Sequence, residues 1–97
     1  MVTQYERGRS SEYKAMTLLK GDGWVVARSA GSHSPVDIFA AKFGITLLVQ
    51  VKKGKARMKA HEAKELVKWA EAFNANAEIW HFKGRGHLEK RRIFARK

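Results

Sequence analysis

The segment Ile45-Thr46-Leu47-Leu48-Val49-Gln50-Val51-Lys52 limits what this chain can become more than any other stretch of it. Strand alternation puts Ile45, Leu47, Val49 and Val51 on one face and Thr46, Leu48, Gln50 and Lys52 on the other. Two polar residues spaced by two at the end of an otherwise apolar strand are held on the same side. That is the arrangement a site needs, and the rest of the fold has to be built around it.

The neighbouring segments can be read in the same way. Residues 10–20 have helical spacing and are stopped by Gly21-Asp22-Gly23. Glu12, Met16 and Leu19 fall on one stripe of that helix, so the Glu12 carboxylate points inward with two core residues. Residues 24–28 read as a strand, followed by a loop of small residues through Pro35, and residues 36–41 read as a second strand. Lys42-Phe43-Gly44 turns the chain into the segment above. Residues 59–75 form a second helix, with Ala63, Leu66, Val67, Ala70 and Phe73 as its core stripe and Glu62, Lys64, Glu65, Lys68 and Glu71 filling the other positions. Residues 77–82 and 88–95 are expected as strands around the hairpin turn Lys83-Gly84-Arg85-Gly86. This Gly-x-Gly opens no helix and is no dinucleotide signature. The order α-β-β-β-α-β-β, without repeat or linker, predicts one α/β domain over residues 1–97, with a central mixed five-stranded sheet flanked by helices.

Charge narrows the choice of partner. The 97 residues carry a formal net charge of +11, a field that draws in polyanions, so nucleic acid is the expected partner. Lys52, Lys53, Lys55, Arg57 and Lys59 place five cations in eight residues, and Lys90, Arg91, Arg92, Arg96 and Lys97 form a second cluster. The absence of cysteine excludes disulfides and thiolate metal sites. No run is long and apolar enough to span a membrane, and the first residues lack a signal-peptide stretch, so no membrane partner and a cytoplasmic location are expected.

Phosphodiester hydrolysis needs a divalent cation, which polarises the phosphate and activates water, together with a positive group for the developing charge. Mg2+ or Mn2+ would take hard oxygen ligands. Asp37 and Glu12 can supply carboxylates, Gln50 only a neutral amide oxygen, and Lys52 the positive group. His33, His61, His81 and His87 lack metal-ligand spacing and are read as loop or surface groups. Trp69, Trp80 and Phe82 are expected in the core or a dimer interface rather than stacked on bases. Ser32 has no His and Asp relay for a hydrolase triad.

Pro35-Val36-Asp37 and Gln50-Val51-Lys52 resemble the paired motifs of the PD-(D/E)xK nuclease superfamily, with glutamine in the acidic place. The longer run of Arg7-Gly8, Glu12, residues 23–32, the Asp37 segment and Val49 to Lys52 resembles archaeal-type Holliday junction resolvases over most of the chain. The resemblance implies a restriction-endonuclease-like fold and a homodimeric, Mg2+-dependent endonuclease that nicks opposed strands of a four-way DNA junction. It places Glu12, Asp37 and Gln50 at the metal positions, Lys52 at the catalytic lysine, and Arg28 and Ser32 near the phosphate. Arg7, Arg9, Arg28, Lys53, Lys55 and Arg57 fall where DNA is gripped. Tyr13 after Glu12 and Gln50 for glutamate depart from the family. The alternatives are a less selective repair or restriction-type nuclease and a catalytically disabled DNA-binding protein of the same fold.

Overall fold

The computed structural model describes residues 4–29, 34–84 and 86–97, with the backbone alone for residues 4–9. Its elements are α1 (Gln4–Gly21), β1 (Val25–Arg28), β2 (Ile38–Lys42), β3 (Ile45–Lys53), α2 (Ala60–Phe73), β4 (Asn76–Lys83) and β5 (His87–Phe94). The five strands form one sheet in chain order. All neighbours are antiparallel except β3 and β4, which run parallel because α2 carries the chain back between them.

β3 lies at the centre of the sheet, and its two faces serve two cores. On one side Leu47 and Val49 pack with Ala15 and Leu19 of α1, Ile38, Ala40 and Trp80. On the other side Leu48 packs with Leu66 and Ala70 of α2, Val36, Ala75, Ala77 and Ile79. Leu48 and Leu66 are fully buried, and each such side chain contributes about 1.5–3 kcal/mol. The sheet thus separates α1 from α2, and the two helices meet functionally only at the open end of the central strands.

Several boundaries differ from the sequence reading. α1 begins six residues earlier than Ser10, since Gln4, Glu6 and the arginines around Gly8 are adequate helix formers. Ser11 is 4% exposed, so it is a small residue on the packed face of the helix and not an N-cap. β2 starts at Ile38, because Val36 leaves the sheet to enter the α2-side core. The β2–β3 connection is a two-residue turn closed by the Lys42–Ile45 pair. Phe43 and Gly44 both have positive φ, 51° and 78°, as a type I′ turn requires.

Trp80 is 2% exposed, its Nε1–H donates to Glu78 at 2.9 Å, and the Lys90 ammonium covers its ring at 4.2 Å. With Trp69 and Phe82 packed against the two cores, these aromatic rings serve the interior, as expected.

Candidate functional site

Asp37 stands one residue before β2, just past the Ile38–Val49 pair, and two hydrogen bonds fix it to β3. Its N–H donates to the Val49 carbonyl at 2.9 Å. Its Oδ2 accepts the Val51 N–H at 2.7 Å. The side chain therefore acts as a ladder acceptor flanking Gln50, and Oδ1 is left without a protein partner among the described residues.

A cavity of about 590 Å³ opens there. α1 contributes Glu12; the β1 end contributes Arg28 and Ser29; Ser34, Pro35 and Asp37 lead into β2. β3 adds Gln50, and the first turns of α2 close the far wall with His61, Glu62 and Glu65. Glu12 reaches in as its helical stripe predicts, with its Oε1 accepting from Arg28 Nη1 at 3.1 Å. The Arg28 guanidinium also lies 5.4 Å from the Tyr13 ring centroid. Two consecutive residues of α1 thus orient Arg28.

Burial sets the electrostatics of Asp37. Desolvation pushes its carboxyl from an ordinary 3.8 up to about 6; the Val51 amide opposes this, Glu12 adds to it, and smaller contributions from Lys52, which lowers it, and Glu62, which raises it, follow. At neutral pH the group remains mostly ionised, a concentrated negative charge in a partly dry site.

Gln50 is 8% exposed, and its Oε1 is buried without a hydrogen-bond partner among the described residues. An orphaned acceptor of this kind costs about 1–3 kcal/mol unless a donor or a cation meets it. Together, Asp37 Oδ1 and Gln50 Oε1 form the oxygen set that a hard divalent cation takes, so these residues fit such an ion. Among the described residues no three His, Cys, Asp or Glu side chains converge on one point. The fit therefore depends on a carboxylate and an amide, with Glu12 beside them on Arg28.

Lys52 shares the α2-facing side of β3 with Gln50, as alternation predicts, but its ammonium is held by α2. Nζ lies 3.2 Å from Glu62 Oε2, and Glu62 Oε1 accepts the Lys59 N–H at 2.9 Å. The Lys59 amide, followed by Lys52, keeps the Glu62 carboxyl below its ordinary value. Reading α2 as a stripe with solvated positions missed Glu62, Glu65 and His61, which line the cavity. The one available signal was a carboxylate three residues after Lys59, the spacing that lets an acid cap a helix start.

The remaining expected residues are placed unevenly. Lys53 ends β3, and Lys55 and Arg57 lie on the exposed segment that leads from it to α2. Arg7 and Arg9 belong to the early turns of α1, and their side chains lie outside the described residues, as do Ser32, His33 and Arg85 entirely. His81 was read as a loop or surface group; it belongs to β4, and its Nε2 lies 2.6 Å from the Gly54 carbonyl. His87 opens β5 and is exposed.

Two comparisons bear on this arrangement. The family model for archaeal Holliday junction resolvase (Hjc) matches residues 3–94. The structure of Archaeoglobus fulgidus Hjc, a Holliday junction resolvase from an archaeal hyperthermophile, aligns with a TM-score of 0.78 at 27% identity, covering 89% of this chain and 77% of that one. The single α/β domain, its mixed five-stranded sheet and the cavity at the open end of β3 agree with that assignment, and the chain belongs to the archaeal Holliday junction resolvase family.

Proposed function

We propose that this chain cuts four-way DNA junctions by Mg2+-dependent phosphodiester hydrolysis, placing paired nicks as a homodimer, and that it does so in the cytoplasm. The observation that carries the reading is the meeting in one cavity of a clamped, half-buried Asp37 with the Oε1 of Gln50, which has no partner among the described residues. Asp37 and Gln50 would hold the ion, Mg2+ or Mn2+. Such an ion supplies charge to polarise the scissile phosphate and to lower the pKa of attacking water.

The residues around the cavity have complementary tasks. Lys52, oriented by Glu62, presents a positive charge at the rim that stabilises charge developing in the transition state. Arg28, oriented by Glu12 and Tyr13, presents a second cation on the opposite wall. Glu12 keeps Arg28 in place and adds a negative charge beside Asp37. Lys53, Lys55 and Arg57, with Arg7 and Arg9 from α1, offer the cations that neutralise backbone phosphates along the arms.

Two-fold assembly has support from an exposed aromatic surface on α2. Phe73 is 49% exposed. Its ring stacks on Trp69 at 6.0 Å and tilts against Phe39 at 5.8 Å. An aromatic cluster with its outer ring open to solvent suits an isologous interface between two copies.

A second reading has one observation in its favour: Gln50 brings no charge to the ion site, which suits a junction-binding protein without cleavage. One gel assay separates these readings. A labelled four-way junction and a matching linear duplex are incubated with protein, with and without Mg2+. Nicked duplex products from the junction alone, only with Mg2+, and their loss in Asp37→Asn with binding retained are the expected result. Equal cutting of linear duplex would replace it with a less selective nuclease, and binding without any cut in Mg2+ or Mn2+ with a disabled protein.

A further inference from the structure

The Lys52–Glu62 ion pair forms a wall with a cavity on each side. Glu62 lines the site already described, whereas Lys52 lines a smaller cavity of about 290 Å³ nearer β5, together with Arg57, His81 and Arg91. We propose that this second cavity binds a backbone phosphate of the strand being cut, one or two nucleotides from the scissile one, and that Arg91 and Arg57 hold it. The proposal deepens the junction-cutting reading and rests on it.

Register puts these groups in a row. Lys52 pairs with His81, and Ile79 pairs with Arg91, so the side chains of β3, β4 and β5 that line the cavity lie on the same face of the sheet. Arg91 is two strand spacings from β3, about 10 Å. A nucleic-acid strand entering the Asp37 cavity and continuing across the sheet toward its edge passes over this row.

Charge accounting shows what is left available. Glu62 is occupied by Lys52 and the Lys59 amide. Glu89, the other acid at the cavity, is bound by Lys83 at 2.9 Å. Arg57 and Arg91 have no hydrogen bond or ion pair among the described residues. Two guanidiniums facing one small cavity repel each other, and a phosphodiester, a monoanion with two free acceptor oxygens, relieves this by taking one contact from each or a bidentate contact from either. Met58 and Ile79 form its apolar part, which lowers the local dielectric and strengthens those contacts.

The cavity is also held in shape. Gly54 N–H donates to the Phe82 carbonyl at 2.9 Å, and His81 Nε2 donates to the Gly54 carbonyl at 2.6 Å. Gly54 has φ 62°, so the chain turns sharply here. These contacts fasten the start of the segment carrying Arg57 to β4 before DNA arrives.

The test is equilibrium binding of a fluorescent four-way junction in EDTA, by anisotropy, over a range of salt concentrations. Wild type is compared with Arg57→Gln/Arg91→Gln and with Lys20→Gln, which removes an exposed charge at the far end of α1. The double variant is expected to lose about tenfold in affinity and to flatten the dependence of log K on log salt by about one to two, while Lys20→Gln stays within about twofold. Methylphosphonates placed singly along the cut strand should weaken wild type at a phosphate near the cut and leave the double variant indifferent there. Both arginines are exposed, and an unchanged thermal midpoint confirms the fold. An unchanged salt slope, or the same methylphosphonate penalty at every position in wild type and variant, overturns the proposal while leaving the junction-cutting reading intact. Failure of wild type to bind the junction removes both.

Discussion

Replacing Asp37 by asparagine should make the protein more stable while removing its activity, and the gain should depend on pH in a defined way. In the folded chain the carboxyl is raised from 3.8 to about 6, chiefly by burial. A group whose folded pKa lies above its unfolded value contributes stability that is complete below pH 3.8 and lost as pH rises through about 6. At 1.36 kcal/mol per unit the shift corresponds to at most about 3 kcal/mol at pH 8. Asp37 is partly exposed, so solvent screening reduces this to on the order of 1–2 kcal/mol. Asparagine retains an oxygen for the Val51 N–H and carries no charge to desolvate. Urea unfolding in EDTA at pH 8 should therefore show Asp37→Asn more stable than wild type by about 1–2 kcal/mol, shrinking to a few tenths near pH 4. Millimolar Mg2+ should reverse part of the gap by stabilising only wild type. An asparagine variant that is no more stable at pH 8, or whose advantage is the same at both pH values, would refute the assignment of burial as the dominant influence on Asp37.

Other consequences follow from the same contacts. Glu62→Gln leaves the Lys52 ammonium without its anionic partner; single-turnover cleavage should slow by about 10- to 100-fold, with junction affinity changing less than about threefold. Gln50→Glu adds the charge the ion site lacks, so calorimetry should find Mn2+ bound at least about tenfold more tightly, roughly 1.4 kcal/mol. Phe43→Asn places a residue suited to positive φ in the type I′ turn and should raise stability by up to about 1 kcal/mol in thermal or urea unfolding. No change, or a loss, would mean that the exposed Phe43 ring has a packing role the turn geometry does not reveal.

Much of this fold was legible because one strand announces itself. The alternation of Ile45 to Lys52 placed Gln50 and Lys52 on one face, and the stripe of Glu12 with Leu19 aimed a carboxylate at the same end of the sheet. Local pattern was less informative about where elements begin. The helix was read as starting at Ser10, yet Ser11 is buried and the helix runs back to Gln4. The role of Glu62 was hard to read for another reason. In sequence it is one of several charged residues between core positions of α2, and only the parallel crossover from β3 to β4 brings that helix start over Lys52. The bond of His81 to Gly54 was hidden in the same way, since it joins residues 27 apart. Roles created by long-range packing leave no periodic trace, whereas roles created by strand and helix periodicity do.

The central claim is that two copies of the Asp37 cavity make paired cuts in one junction, and a supercoiled plasmid that extrudes a cruciform tests it directly. With Mg2+, two nicks in opposed strands within one bound complex convert the plasmid to the linear form without accumulation of nicked circles, and this is the predicted result. Nicked circles that build up and linearise only slowly, or a plasmid left intact although the cruciform is bound, would contradict it.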